Sequence, residues 1–402
     1  QGDVLVMLPL LATDLSDVLN NGLGYSSFSE GSWTPHRSKD IGGLSNVSDV
    51  LISNDKLLFT SFGNGIYDAN QETIFDEANS LLEVTDDGGD QVVVTGVVED
   101  RNQNTWISAY GDYSLFKIDS DGLWERFRFG FGAAEKPNSM QINSSNQLWM
   151  TLGTNGEEGI LAYHIDEDKS RFITSSAGLP ANQVNDIAFG NDGEVWIATA
   201  QGIVYFPFSY GIIEDSQIGV VQPIFDGDYL FNEKNVTAVA IDGGNRKWIG
   251  GQDGLWLFDE NFETAIFHFT EANSPLPSNT VVDIAIDPET GEVFIVTDNG
   301  VLSYRADATQ GAIVHQDVAI FPNPVRQNYT GLVGFSGLVS DGNLKITTVS
   351  GRLVREINAN GGAASWDISD FNGRRVTTGV YMVYSSNDDG TETYVGKIAV
   401  LN

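Results

Sequence analysis

Short runs in which apolar and polar residues alternate, or in which β-branched and aromatic residues crowd together, recur along the chain between clusters of Gly, Asn and Asp. One set reads Gln183-Val-Asn-Asp-Ile-Ala-Phe, Asn191-Asp-Gly-Glu-Val-Trp-Ile-Ala-Thr and Gly202-Ile-Val-Tyr-Phe. Asn235-Val-Thr-Ala-Val-Ala-Ile, Lys247-Trp-Ile-Gly and Gly254-Leu-Trp-Leu-Phe repeat it, as do Thr280-Val-Val-Asp-Ile-Ala-Ile, Gly291-Glu-Val-Phe-Ile-Val-Thr and Gly300-Val-Leu-Ser-Tyr. Period-two segments bounded by turn residues predict strands, and helical periodicity is confined to about Leu15 to Leu23. The pattern predicts an all-β chain.

The copies begin near residues 46, 93, 138, 183, 235 and 280. An aromatic residue recurs in the second strand of each copy, at Phe59, Trp106, Trp149, Trp196, Trp248 and Phe294, in steps of 47, 43, 47, 52 and 46 residues. A period of this length with three or four strands per copy predicts β-propeller blades. Each blade is a small sheet that cannot cover both faces alone, so the recurring aromatics are expected to wedge between neighbouring blades. Residues 1–45 match one blade in length and are read as a degenerate copy. Seven blades over 1–315 are favoured, and six, closed by an N-terminal outer strand, remain the alternative. Asn-Asp-Gly and Asp-Gly-Gly-Asn segments are read as hairpin turns that need no metal, and Asp119-Ser-Asp-Gly lacks the further carboxylates of a calcium loop.

From residue 316 the pattern changes. Leu344-Lys-Ile-Thr-Thr, Arg352-Leu-Val-Arg-Glu-Ile, Gly379-Val-Tyr-Met-Val-Tyr and Tyr394-Val-Gly-Lys-Ile-Ala-Val are strand-like runs without the blade period, which predicts an immunoglobulin-like β-sandwich over 316–402. Phe321-Pro322-Asn323-Pro324, Lys345, Gly351-Arg352, Gly373, Gly379-Val-Tyr381 and Lys397-Ile-Ala-Val stand in a fixed order. That ordered set resembles the C-terminal sorting domain of the type IX secretion system of Bacteroidota. The blade copies resemble the two-component-regulator propeller repeat, with Val195-Trp-Ile-Ala-Thr and Lys247-Trp-Ile-Gly-Gly as the best matches and Phe59 and Phe294 departing from its Trp.

Composition narrows the function. The chain holds 402 residues, 55 Asp and Glu against 21 Lys and Arg, and a formal net charge of -34. Only -1 of that lies beyond residue 316. Such a surface repels phosphate backbones, so nucleic acid is not an expected partner. Arg246 and Lys247, beside Trp248, read as a small basic spot on a hairpin turn. No Cys is present, which excludes a thiolate nucleophile and a Cys-based zinc site, and no run of about 18 apolar residues is long enough to span a membrane as a helix. Gln1-Gly-Asp does not read as a signal peptide.

Four histidines, His36, His164, His268 and His315, are spread without metal-ligand spacing, and neither a nucleophile elbow nor a phosphate-binding loop is found. No catalytic, metal or cofactor residue is therefore assigned, and no enzyme activity is expected. The joint resemblance, a propeller followed by a type IX sorting domain, implies a non-catalytic component of the cell-surface attachment complex of that system. It would sit on the extracellular face of the outer membrane, present anionic lipopolysaccharide to the sortase, and be read through its tail by an outer-membrane barrel. The alternative is an exported propeller cargo, an adhesin or glycan-binding protein. For the first reading the sorting and docking residues would be those of the ordered tail set.

Overall fold

The structure is a computed structural model and describes residues 4–6, 23–29, 32–53, 56–85, 91–129, 136–153, 159–340, 342–387 and 389–401. The helical expectation at Leu15 falls outside these residues, and Leu23 opens a strand, Leu23–Ser29. The described helices are two single 3-10 turns, Ser38–Ile41 and Ser175–Ala177. Two compact units are present, Gln1–Phe189 with Gly193–Val239, and Gly190–Asp192 with Ala240–Asn402.

The first unit is a run of small antiparallel sheets. Val4–Val6, Leu23–Ser29 and Ser32–Arg37 form the first. Val47–Ser53, Lys56–Gly63, Gly65–Asp68 and Thr73–Phe75 follow, then Val92–Glu99, Thr105–Ala109, Leu115–Ile118 and Trp124–Phe127. Phe62 and Gly63 pair with Val93 and Val92, so these two sheets share a ladder at one corner. Pro137–Ile142, Gln147–Leu152, Gly159–His164 and Lys169–Ile173 make the next, and Val184–Phe189, Val195–Thr199 and Gly202–Phe206 the one after. Within each set of four the strands lie side by side in chain order, the meander from which propeller blades are built.

All six recurring aromatics are buried. Trp149 lies in one apolar cluster with Ile160 and Ile173 of its own sheet and Val184, Val195 and Phe206 of the next. Trp106 likewise joins Met140, Leu148 and Tyr163 of the following sheet. Phe59 instead turns towards Ile41, Leu44 and Tyr25, on the N-terminal side. Burying side chains of this size contributes roughly 1.5–3 kcal/mol each, so the face-to-face contacts carry much of the stability.

The second unit contains the sheet of Lys247–Gly251, Gly254–Phe258 and Ala265–Phe269 and the sheet Val281–Ile286, Glu292–Thr297 and Gly300–Arg305. The chain then builds two facing sheets. Ala319–Phe321, Val333–Ser336 and Ala364–Trp366 form one. Leu353–Asn358, Asn343–Thr348, Gly379–Ser386 and Thr393–Val400 form the other, in that spatial order. Val333, Phe335 and Trp366 from the first face Leu344, Ile346, Tyr381, Val383, Ile398 and Val400 from the second. That closed core is a β-sandwich.

Candidate functional site

The sorting-set residues fall into two groups in the sandwich. In the first, Asn323 bridges the opening segment to the closing strand. Its side-chain amide donates to the Lys397 carbonyl at 2.9 Å, and its carbonyl oxygen accepts from the Ala399 N–H at 3.1 Å. Val325 continues the pairing, donating to Ala399 and accepting from Leu401. The Phe321-Pro322 and Asn323-Pro324 bonds are both cis. A side chain thus satisfies the backbone of what would otherwise be an open edge, the position where unpaired strands invite further pairing. Phe321 is 77% exposed, and the Lys397 side chain is also exposed. Lys345 is exposed too, 3.7 Å from Glu356 on the neighbouring strand.

In the second group, Gly351, Arg352, Gly373 and Tyr381 converge around a cleft of about 320 Å³ at the other margin of the same sheet. Arg352 and Tyr381 line it directly, with Asp370, Phe371, Arg374 and Arg375 from the following turn, while Gly351 and Gly373 hold the two turns at its rim with positive φ. Tyr381 is buried and donates its hydroxyl to the Thr377 carbonyl at 2.8 Å. The Asp370 carboxylate is turned back on its own turn and accepts from the Arg374 and Asn372 N–H groups, which hold it below the usual carboxylate range. Gly379 begins the strand that carries Tyr381.

The sandwich is also joined to the sheets before it, inside the second unit. Gly362 donates to the Thr309 carbonyl, Ser340 to Ala312 and Gln316 to Gly337, while the Val339 N–H donates to Nδ1 of His315 at 3.1 Å. A Cβ added at Gly361 would collide with the carbonyl oxygens of Thr309 and Gly243. Beside this contact Asp242 accepts from Arg246 Nε at 2.8 Å and from the Trp248 indole at 3.1 Å. Arg246 reaches on to Asp307 at 2.7 Å, and Asp307 accepts from Asn360 of the sandwich at 3.3 Å. The basic spot expected on the surface at Arg246 and Lys247 is therefore absent. Arg246 is buried in this network, and Lys247 is fully buried, its ammonium donating to the carbonyls of Asn245 and Glu260.

Other candidates lie in the first unit. A cleft of about 510 Å³ is lined by Phe75 and Trp124 with Lys56, Asp68 and Asp119 among its polar groups. Lys56 is committed to Glu99 and Thr105, Asp68 to the Asn70 and Gln71 amides, and Asp119 to the Asp121 and Leu123 amides. His164, Glu167 and Glu214 bring ligand atoms within 4.8 Å of one another, a grouping the sequence spacing did not disclose. Lys169 sits 2.7 Å from Glu167 and holds that carboxyl below its ordinary range, so an ammonium already supplies the positive charge there. The remaining histidines are apart. His268 stacks on Trp256, with Nε2 2.8 Å from the Asp253 carbonyl, and His36 lies 2.9 Å from Ser27.

Comparison with known proteins places these features. Residues 319–400 match the secretion system C-terminal sorting domain, and residues 178–201 match the two component regulator propeller. No curated protein matches the chain. Among solved structures, PorZ, described as an essential bacterial surface component of the type-IX secretion system of Porphyromonas gingivalis, is 21% identical with a TM-score of 0.63, over 94% of this chain and 56% of that one. The extracellular domain of a protein described as a hybrid two component system of B. thetaiotaomicron is 16% identical with a TM-score of 0.53, over 95% and 53%. A streptogramin B lyase is 16% identical with a TM-score of 0.51, over 70% and 86%. The chain spans a little over half the length of the first two. The fold is all-β, PorZ-like, a β-propeller followed by a β-sandwich. The sorting-domain match makes it an exported protein, at the cell surface or secreted. Among the described residues no helix is long and apolar enough to cross a membrane.

Proposed function

We propose that this chain is a non-catalytic component of the type IX attachment complex on the outer face of the outer membrane, where it holds anionic lipopolysaccharide for the sortase. In this reading residues 1–315 are one seven-bladed propeller and 316–402 a resident docking domain read by the outer-membrane barrel. One observation carries the choice between resident and cargo: the sandwich shares a compact unit with the sheets before it, through the Gly361 contact and the Arg246–Asp307–Asn360 link. A label meant for removal needs an accessible, loosely held junction, because a protease must draw out the segment it cuts. Here backbone hydrogen bonds from Gly362, Ser340 and Gln316 tie the junction down.

The test is the intact mass of the protein taken from the native cell surface. A chain that keeps residues 316–402 and has no lipid covalently attached is expected. A chain ending near His315 with lipid attached would replace this reading with that of an exported cargo protein.

A further inference from the structure

The charge of this protein is badly suited to holding an anion. Excess carboxylates over the first 316 residues slow encounter with any polyanion. Several of the basic side chains in that part of the chain are already paired or spent. Arg101 pairs with Asp166, Lys117 with Glu125, Arg126 with Glu83, Lys169 with Glu167 and Arg305 with Glu292. Arg171 is consumed by four backbone carbonyls. The cleft of the sandwich departs from this pattern. Arg352, Arg374 and Arg375 line a space of about 320 Å³; Arg375 is engaged elsewhere and Arg374 lends its charge to Asp370, but the guanidinium groups of Arg352 and Arg374 form no ion pair or hydrogen bond among the described residues. The one carboxylate in the lining, Asp370, spends its Oδ1 on the amides of its own turn.

From this geometry we infer that the cleft between Arg352 and the 370–377 turn is the anion-binding site of the protein, and that its ligand is a phosphate group carried on a saccharide. The inference rests on the proposed function and places its ligand on the sandwich instead of the propeller. A planar guanidinium offers paired donors that match two phosphate oxygens, which a lysine cannot do. Phe371, 57% exposed at the rim, offers an apolar face to the sugar ring beside the phosphate. Near neutrality of the sandwich spares the ligand the repulsion it would meet over the propeller.

Calorimetric titration of the full chain with phosphate-substituted dextran tests this, with unsubstituted dextran, a glutamate oligopeptide and purified anionic lipopolysaccharide as further titrants. The expected result is binding of the phosphorylated dextran and the lipopolysaccharide, weakened about tenfold or more when Arg352→Gln and Arg374→Gln are combined. Both side chains are exposed, so the fold should survive, and Arg101→Gln, an exposed arginine of the first unit, should leave binding unchanged. Equal binding by the double variant would overturn the location while leaving the functional reading intact. Failure of the unaltered chain to bind either phosphorylated ligand would overturn both. Equal or tighter binding of the glutamate peptide at the same arginines would overturn the saccharide assignment.

Discussion

Asp100 and Asp242 each stand six residues before an indole and perform two tasks at once. One carboxylate oxygen caps the hairpin turn, accepting from the amides of Asn102 and Asn104 or of Gly244 and Arg246. The other accepts from Trp106 or Trp248. Where Asn143 takes this place, its oxygen still caps the turn, but its amide nitrogen donates to Gln147, and the buried Trp149 indole has no partner among the described residues. Asp242 differs from Asp100 in also facing buried Arg246. Breaking a buried pair from one side costs about 3–5 kcal/mol, against roughly 1.5–3 kcal/mol for a hydrogen bond to a charged group. Asp242→Asn should therefore destabilise by about 4 kcal/mol and Asp100→Asn by about 2 kcal/mol, compared by chemical denaturation; equal losses would show that the ion pair contributes nothing. The sequence displays the turn and the Trp here. It does not display the burial of Arg246, because a charged residue in a hairpin ordinarily faces solvent and only one of its two carboxylate partners, Asp242, is near in sequence, while Asp307 lies far along the chain.

At the scale of elements, strands announce themselves by periodicity and their contacts do not. The runs around Val195, Lys247 and Gly379 are strands in the positions their alternation indicates, and the aromatic of each copy is buried. The sorting set is legible as an ordered list, but its division into an edge-covering group at Asn323 and a cleft group at Arg352 depends on which turns meet in space. The same holds for the Gly361-Gly362 turn, whose glycines show no partner in the sequence and which is where the sandwich meets Thr309 and Gly243. Gly361 has φ of 60°, in the region where a Cβ costs about 1–2 kcal/mol, and overpacking typically adds 1–3 kcal/mol. Gly361→Ala should thus cost on the order of 3 kcal/mol locally. Limited proteolysis of residues 306–318 should become faster, while cleavage within 159–189 stays unchanged. Unaltered cleavage at the junction would mean that the contact does not hold the sandwich in place.

For the whole molecule the question is whether the tail is cargo label or structural part, and stability distinguishes the two. A label joined by a free linker leaves the rest of the chain as stable after removal as before. Here, removal of residues 316–402 deprives Thr309, Ala312 and His315 of their partners Gly362, Ser340 and Val339, and uncovers the Gly243-Gly244 turn. Each backbone hydrogen bond lost is worth about 1 kcal/mol, so the deficit is roughly 3 kcal/mol. In a piece somewhat larger than 250 residues 1 kcal/mol shifts the midpoint by at most about 2 °C, which gives a fall of up to roughly 6 °C in Tm. Cleavage of the purified chain at a protease site engineered at residue 316, followed by scanning calorimetry of the freed 1–315 piece, measures this directly. A fall of that size is what a resident domain requires. An unchanged Tm would mean that the sandwich rests on the preceding sheets without supporting them, and the tail would then be free to act as a removable label.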